Sequence, residues 1–115
     1  MAGEVIHATT FEKVQEVMKT VKDRPIVVDY FADWCGPCMV FAPKFKALAA
    51  EFGTNVVFMK VNVDEVPDAA EAAGIQSLPT FVVYYNGAKQ GQCIGAVEEK
   101  LRNTIADVQK RVGSQ

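Results

Sequence analysis

Short apolar runs that look like buried β-strands alternate along this chain with segments of helical periodicity, and this alternation most constrains its fold. The runs occupy residues 26–31, 56–63 and 80–85. The first is almost unbroken and rich in β-branched residues, which is typical of a strand covered on both faces by helices. The sequence therefore predicts an α/β fold in which helices flank both faces of a central sheet.

Helices are predicted where apolar residues recur every three or four positions. The first follows a capping box formed by Thr9 and Glu12. The second opens at Cys35 and ends at Gly53, and Pro43 is predicted to kink it. A short third helix lies within residues 64–74. The last helix has an apolar stripe of Val97, Leu101, Ile105, Val108 and Val112.

Two further strands complete the predicted sheet. One is a short strand at residues 5–7, and the other, at 88–94, follows the turn residues Asn86 and Gly87. Asn-Gly is a strong hairpin signal because both turn positions need positive φ. The predicted order is β-α-β-α-β-α-β-β-α, a mixed sheet of about five strands with an antiparallel final pair.

Composition narrows the function classes. A chain of 115 residues, 50% hydrophobic and 23% charged, predicts one folded domain over residues 1–115. The net charge of -2 and the lack of a basic block argue against nucleic-acid binding. We expect no membrane association, because no apolar stretch is long enough to span a bilayer. With three cysteines and no secretory signal, we expect a cytoplasmic protein.

The chemically informative segment follows the first long strand and opens a helix: Trp34-Cys35-Gly36-Pro37-Cys38. A C-x-x-C pair near a βαβ pattern indicates a dithiol redox site. The free N–H groups and the positive end of the helix dipole favour a thiolate there. Cys35, at the helix mouth, is predicted to be more exposed and to attack a disulfide, whereas Cys38 resolves the mixed disulfide. Pro37 suits the first helical turn.

Two other interpretations of this cysteine pair stay open. The pair could supply zinc ligands, but structural zinc needs four, and only Cys93 and His7 remain as soft candidates. We therefore expect no metal. The cysteines could also be two structural thiols that share this spacing by chance.

The chain resembles the thioredoxin family from about residue 4 to residue 112. Residues 34–38 form the family's active-site motif. Five further segments match the family pattern in order: 27–32, Pro43, 60–64, 78–80 and 95–96. The resemblance implies the thioredoxin fold and a monomeric protein-disulfide reductase acting in electron transport and cell redox homeostasis. It also implies no cofactor beyond the redox-active disulfide Cys35–Cys38, recharging by a thioredoxin reductase, and targets such as peroxiredoxins.

Asp29 is a charged residue inside an otherwise apolar strand. The residue pattern alone allows a strand-end carboxylate held by a neighbouring N–H. It also allows a buried acid whose raised pKa lets it take the proton from Cys38. The resemblance favours the second interpretation and implies that Lys60 tunes the pKa of Asp29.

The resemblance also implies a substrate-docking surface. It places a cis bond at Leu78-Pro79, facing the dithiol, where the backbone of Leu78 is expected to pair with an extended substrate segment. Trp34, Leu78, Gly95 and Ala96 would form a flat apolar patch. By residue pattern alone, Trp34 also fits a half-exposed packing residue.

The remaining candidates have plainer interpretations. Cys93 fits a small buried apolar residue, with a regulatory thiol or an intermolecular disulfide as the alternative. His7 is predicted to have no catalytic role. Met39 departs from the lysine that many family members carry, which is expected to affect the cysteine pKa and partner choice. A solvated loop and helix start are predicted for the acidic cluster Asp64, Glu65 and Asp68.

Two rival functions remain. A disulfide oxidase or isomerase would share the chemistry, but related folds with that role are usually exported and tend to carry histidine where this chain has Pro37. A non-catalytic binding subunit would use the surface of Trp34, Pro79 and Gly95 instead of the thiols.

Overall fold

The computed structural model describes residues 3–113 and has the predicted α/β architecture. Within this range the elements are β1 (Val5–His7), α1 (Phe11–Thr20), β2 (Ile26–Phe31), α2 (Gly36–Phe52), β3 (Val57–Asn62), α3 (Pro67–Ala73), β4 (Thr80–Tyr85), β5 (Ala88–Ile94) and α4 (Glu98–Gly113). The predicted element order is confirmed. None of the helices in the described part of the chain is long and apolar enough to cross a membrane.

The strands form one mixed sheet in the order β1-β3-β2-β4-β5. Strand β3 pairs in parallel with β1 and β2, whereas β4 is antiparallel to both β2 and β5. Strand β2 lies in the middle, and all six of its residues are buried. This is the environment that its apolar sequence predicts, because a central strand has helices on both faces.

Successive residues of β2 point to opposite faces of the sheet, and each face has its own core. On the α2/α4 face, aromatic and aliphatic side chains of the two helices and of the sheet pack together: Val27, Phe41, Phe45, Leu48, Phe58, Phe81, Leu101, Ile105 and Val108. On the α1/α3 face the core includes Val14, Val17, Ile26, Val28, Tyr30, Met59, Ala69 and Val82. Each large apolar side chain contributes about 1.5–3 kcal/mol through its burial, so these two layers stabilise the fold.

The predicted hairpin between β4 and β5 is confirmed. Asn86 has φ 51° and Gly87 has φ 78°. Because both turn residues lie in the left-handed region, the turn matches the twist of the strands it joins. The hairpin pairs Tyr85 with Ala88, with an irregularity in the ladder between Val83 and Tyr84.

Helix α1 begins one residue later than the capping box predicted. Its N-cap is Thr10, whose side chain accepts a hydrogen bond of 3.1 Å from the backbone N–H of Lys13. The predicted box of Thr9 and Glu12 was wrong, because the third helical position is Lys13 and not an acidic residue. Phe11, the first helical residue, packs against the α1/α3 core, and this packing favours the later start.

Three other boundaries or positions refine the prediction. Strand β3 is one residue shorter at each end than predicted. Helix α2 continues through Pro43, and the predicted kink stays a prediction. Val97 lies before α4 and is exposed, so its assignment to the apolar stripe of the last helix was wrong. The stripe is buried at Leu101, Ile105 and Val108.

Candidate active site

The dithiol lies at the N-terminus of α2. Cys35 is the N-cap of this helix, and its Sγ atom accepts a hydrogen bond of 3.2 Å from the backbone N–H of Cys38. The two cysteines are joined by a disulfide, with their Cα atoms 5.3 Å apart. Pro37 lies in the first turn, as predicted, where its missing N–H costs no helical hydrogen bond. A sulfur at Cys35 therefore faces the free N–H groups and positive dipole of a helix start.

Both cysteines are largely buried. Cys35 is 6% exposed and Cys38 is 2% exposed. Cys35 is the more accessible, as predicted, but the margin is small. Four apolar residues surround the pair and form with it the dithiol cluster: Phe31, Ala32, Val63 and Leu78. A partner disulfide therefore has to be brought to the protein surface in a defined orientation to reach Cys35.

Asp29 is a buried acid. It is 5% exposed, and its Oδ1 atom has no hydrogen-bond partner among the described residues. Burial raises the pKa of this carboxyl from 3.8 to about 7, although the charge of Lys60 opposes the rise. The missing hydrogen bond contradicts the alternative of a strand-end carboxylate held by a neighbouring N–H. Asp29 is therefore buried with a raised pKa, as the second interpretation requires, and its part in taking the proton from Cys38 stays a prediction.

The position of Asp29 follows from the alternation of β2. Asp29 and Phe31 lie two residues apart, so their side chains share one face of the sheet. Phe31 packs in the dithiol cluster, and Val27, on the same face, packs in the α2/α4 core. Asp29 therefore lies beneath helix α2, the helix that carries Cys38. On the neighbouring strand, Lys60 pairs in register with Asp29, and its Nζ atom lies 5.7 Å from the centre of the Phe31 ring.

Part of the predicted docking surface comes together around the dithiol. The Leu78-Pro79 bond is cis, as predicted. Leu78 packs against the dithiol cluster, and the N–H of Gly95 donates a hydrogen bond of 2.9 Å to the carbonyl of Pro79. Ala96 instead packs against the α2/α4 core, so its surface contribution is smaller than predicted.

Trp34 is strongly exposed, so its interpretation as a half-exposed packing residue was wrong. The side chain is 73% exposed, and its indole N–H donates a hydrogen bond of 2.8 Å to Asp64. The loop that carries Asp64 is itself ordered by Asn62, because Oδ1 of Asn62 accepts hydrogen bonds from the backbone N–H groups of Asp64 and Glu65. The indole is therefore both available to a partner and fixed in orientation.

Sequence reasoning missed the contact of Asp64 because an exposed acidic cluster resembles any solvated loop. The signal that it offered is Asn62 two residues earlier, since an Asx turn orders such a loop. Glu65 also has a partner, His7, with an N–O distance of 3.2 Å. Asp68 lies in the first turn of α3, as predicted.

The third cysteine lies in the core. Cys93 is free and buried, and it pairs with Phe81 across β4 and β5 on the α2/α4 face. Burial raises the pKa of the Cys93 thiol, while Lys100 and Thr104 oppose part of that rise. Its interpretation as a small buried apolar residue is confirmed, and its regulatory role stays a prediction.

Within the described residues, no group of three or more His, Cys, Asp or Glu side chains is placed to hold a metal ion. Cys93 and His7, which sequence reasoning weighed as soft ligands, have other surroundings. Cys93 is buried in the core, and His7 contacts Glu65.

The chain is similar in sequence to known proteins of one family. The thioredoxin family model matches residues 4–107. An H-type thioredoxin from Chlamydomonas reinhardtii is 48% identical over 83 residues, which are 72% of this chain and 74% of that protein. Human thioredoxin is 38% identical over 108 residues, 94% of this chain and 99% of that protein.

Solved structures agree with this sequence similarity. The short form of spinach chloroplast thioredoxin f has a TM-score of 0.88 at 32% identity, covering 94% of this chain and 96% of that one. Fasciola hepatica thioredoxin has a TM-score of 0.85 at 41% identity, covering 89% of this chain and 97% of that one.

Proposed function

Since this chain belongs to the thioredoxin family and is a dithiol protein-disulfide reductase, we propose how its residues carry out that reaction and which partners it serves. The observation that carries the proposal is the Cys35–Cys38 pair at the N-terminus of α2. A thiolate is the nucleophile in thiol–disulfide exchange. Cys35 caps the helix, and so has the position that best stabilises a negative sulfur.

In the first step, the Cys35 thiolate attacks one sulfur of a target disulfide. A new S–S bond forms between the chain and the target, the target S–S bond breaks, and its electron pair leaves on the second target sulfur as a thiolate. In the second step, Cys38 attacks Sγ of Cys35. The mixed disulfide breaks, the target departs as a dithiol, and the chain retains the Cys35–Cys38 disulfide. Two electrons thus pass from this chain to its target.

Asp29 is the proposed proton acceptor for Cys38 in the second step. It lies beneath α2, and its pKa of about 7 is near neutral pH. An acid with such a pKa is partly ionised and still basic enough to take a thiol proton, which is the condition for efficient general-base catalysis. Lys60 is the proposed tuning residue, because its charge is the one that opposes the raised pKa of Asp29.

Substrate docking is proposed at the surface of Trp34, Leu78 and Gly95, next to the buried Pro79, with a smaller part for Ala96. The exposed indole of Trp34 and the position of Leu78 against the dithiol support this assignment. An extended target segment that pairs with the backbone of Leu78 would bring its disulfide to Cys35. Such targets include peroxiredoxins.

We further propose a thioredoxin reductase as the electron donor, a monomeric state and a cytoplasmic location. The donor follows from the family to which the chain belongs. The odd number of cysteines and the free thiol of Cys93 support a reducing compartment, because secreted proteins of this size generally pair their cysteines.

The roles of the two cysteines are tested by mass spectrometry of single variants incubated with a disulfide-bonded protein. Cys38→Ser is expected to accumulate a mixed disulfide on Cys35, because the resolving thiol is missing. Cys35→Ser is expected to form no adduct, and Cys93→Ser serves as the matched control that removes a thiol outside the pair. Adducts on Cys38 in the Cys35→Ser variant, at the rate seen for Cys35 in the other variant, would reverse the assignment.

The same variants separate a reductase from a non-catalytic binding subunit. A subunit that acts through the surface of Trp34, Pro79 and Gly95 would keep its function when both Cys35 and Cys38 are serine. Equilibration of the dithiol against glutathione addresses the oxidase alternative, because a potential near the reducing end of the range of such proteins supports a reductase and one near the oxidising end supports an oxidase.

A further inference from the structure

A cleft lies on the α1/α3 face of the sheet, away from the dithiol cluster. Its volume is about 270 Å³, and its walls include Phe11, Met18, Tyr30, Ala69, Ala72 and Tyr84. The cleft exists because the short alanine side chains of α3 do not fill the space that opens between this helix, α1 and the sheet. None of these residues belongs to the dithiol cluster, and the disulfide reaction uses none of them.

A pair of tyrosines forms part of the cleft wall. The hydroxyl oxygens of Tyr30 and Tyr84 lie 3.0 Å apart and share a hydrogen bond. Tyr30 is almost wholly buried and Tyr84 is half-buried. Burial raises the pKa of each hydroxyl, so both are protonated at neutral pH.

One hydroxyl hydrogen of this pair takes no part in the hydrogen bond between the two tyrosines. Two hydroxyl groups carry two hydrogens, and only one of them lies between the oxygens of Tyr30 and Tyr84. Within residues 3–113, neither hydroxyl makes another hydrogen bond. The hydroxyl that accepts the shared bond therefore retains a hydrogen that it can donate to a third group.

The charge at the cleft has one sign. Among the described residues that line it, Lys19 is the single basic side chain, and no Asp or Glu is present. Gln15 is the other polar side chain of helix α1 at the cleft. An apolar wall, a donating hydroxyl and one cation together match a ligand with an apolar body and a single negative charge.

We propose that this cleft binds a small aromatic carboxylate. The ring lies against Met18 and Ala72, and a carboxylate oxygen accepts the free hydrogen of the tyrosine pair and faces Lys19. At about 30 Å³ per water molecule, the cleft has room for a ligand of about ten non-hydrogen atoms. A ligand of that size with one buried polar contact binds in about the millimolar range.

Titration of the oxidised full chain with 3-phenylpropanoate, followed by NMR, tests this site. Chemical-shift changes are expected at the Met18 methyl group and at the amides of Ala69 and Ala72. Tyr84→Phe is expected to weaken binding about fivefold, the effect of losing one hydrogen bond, because the hydroxyl that remains belongs to Tyr30, which is almost wholly buried, whereas the half-buried Tyr84 is the donor that a ligand can reach. The matched control is Tyr85→Phe, which removes a hydroxyl at the next position of β4, outside the cleft lining.

The neutral analogue 3-phenylpropan-1-ol distinguishes the contribution of the ligand's charge from that of its apolar body. Lys19→Gln is expected to weaken binding of 3-phenylpropanoate about threefold and to leave binding of the alcohol unchanged. Lys22→Gln, the matched control outside the cleft, is expected to change binding of neither ligand. Ala72→Leu, which fills the cleft, is expected to abolish binding of both ligands. Because Ala72 is exposed, this variant is expected to keep the fold. Its effect on ligand binding therefore tests the site even if Tyr84→Phe disturbs the sheet.

Two results would overturn the proposal. One is the absence of shift changes at the cleft residues up to the solubility limit of 3-phenylpropanoate. The other is binding that remains equally strong in Tyr84→Phe, Lys19→Gln and Ala72→Leu, which would show non-specific contact with apolar surface. Neither result bears on the disulfide reaction, which uses the other face of the sheet.

Discussion

Replacing Asp29 by asparagine is expected to stabilise the fold and to slow the reaction. The carboxyl is buried, its Oδ1 atom lacks a hydrogen bond, and its pKa is about 7 instead of 3.8. One pKa unit corresponds to about 1.4 kcal/mol, so ionising this group destabilises the native state by at most about 4 kcal/mol. A buried amide has unsatisfied groups of its own, so the expected net gain for Asp29→Asn is about 1–3 kcal/mol at pH 7.

The raised pKa of Asp29 makes the difference in stability between the wild type and Asp29→Asn depend on pH. Between pH 3.8 and about pH 7 the native state keeps a proton on Asp29 that the unfolded chain has released. The stability of the wild type therefore falls as the pH rises through this window and levels off above the folded pKa. The asparagine variant lacks this dependence, so its advantage is expected to grow from pH 5 to pH 7 and then to remain nearly constant up to pH 8.5.

Urea unfolding at pH 5, 7 and 8.5 measures this difference. Asp107→Asn is the matched control, because Asp107 is exposed on α4 and its replacement is expected to change stability by less than about 0.5 kcal/mol. An Asp29→Asn variant less stable than the wild type at every pH would refute the cost assigned to the buried charge. An advantage independent of pH would refute the raised pKa.

Asp29→Asn is expected to slow the reaction although it stabilises the fold. If Asp29 accepts the Cys38 proton, release of the mixed disulfide is expected to slow by about 10²-fold in Asp29→Asn, the usual contribution of a general base. Rapid-quench measurement of mixed-disulfide decay tests this step. A variant that gains stability but resolves the mixed disulfide at the wild-type rate would leave Asp29 as a buried acid without a catalytic role.

Three further variants test neighbouring parts of the site. Lys60→Gln is expected to raise the pKa of Asp29 further, because it removes the charge that lowers it, and the pH profile of mixed-disulfide decay should shift upward accordingly. Asp64→Ala is expected to raise KM for a protein disulfide about fivefold with little change in kcat, because Trp34 loses the hydrogen bond that orients it; an unchanged KM would contradict this. Cys93→Ser is expected to leave turnover within about twofold, because the side chain lies in the core, and to remove any disulfide-linked dimer on non-reducing gels; a dimer that persists would exclude Cys93 as the linking thiol.

The fold was predictable where a local pattern has only one structural solution. The six residues of β2 are apolar or paired within the sheet along their whole length, and Asn86-Gly87 allows hardly any turn except the one observed. The start of α1 was different, because Thr9 and Thr10 can both cap a helix. The packing of Phe11 against the α1/α3 core involves residues far along the chain, which a local pattern does not contain.

The same distinction applies to the site. The cysteine spacing and the charge of Asp29 in an apolar strand are local signals, and both led to the correct positions. The contact between Trp34 and Asp64 joins residues 30 positions apart, and nothing near Asp64 distinguishes it from any other solvated acid. Local patterns thus located the cysteine pair and the buried acid, whereas the contact that orients the exposed indole required the fold.

The register of β2 links the two halves of the molecule. Asp29 and Tyr30 are adjacent in sequence, yet alternation directs Asp29 to the face that carries the dithiol and Tyr30 to the face that carries the cleft. A slip of one residue would exchange these faces, placing an aromatic ring beneath α2 and a carboxyl in the α1/α3 core. Pairing on both sides, with Lys60 of β3 and Phe81 of β4, opposes such a slip. The central position of β2 therefore keeps Asp29, the proposed proton acceptor, beneath helix α2.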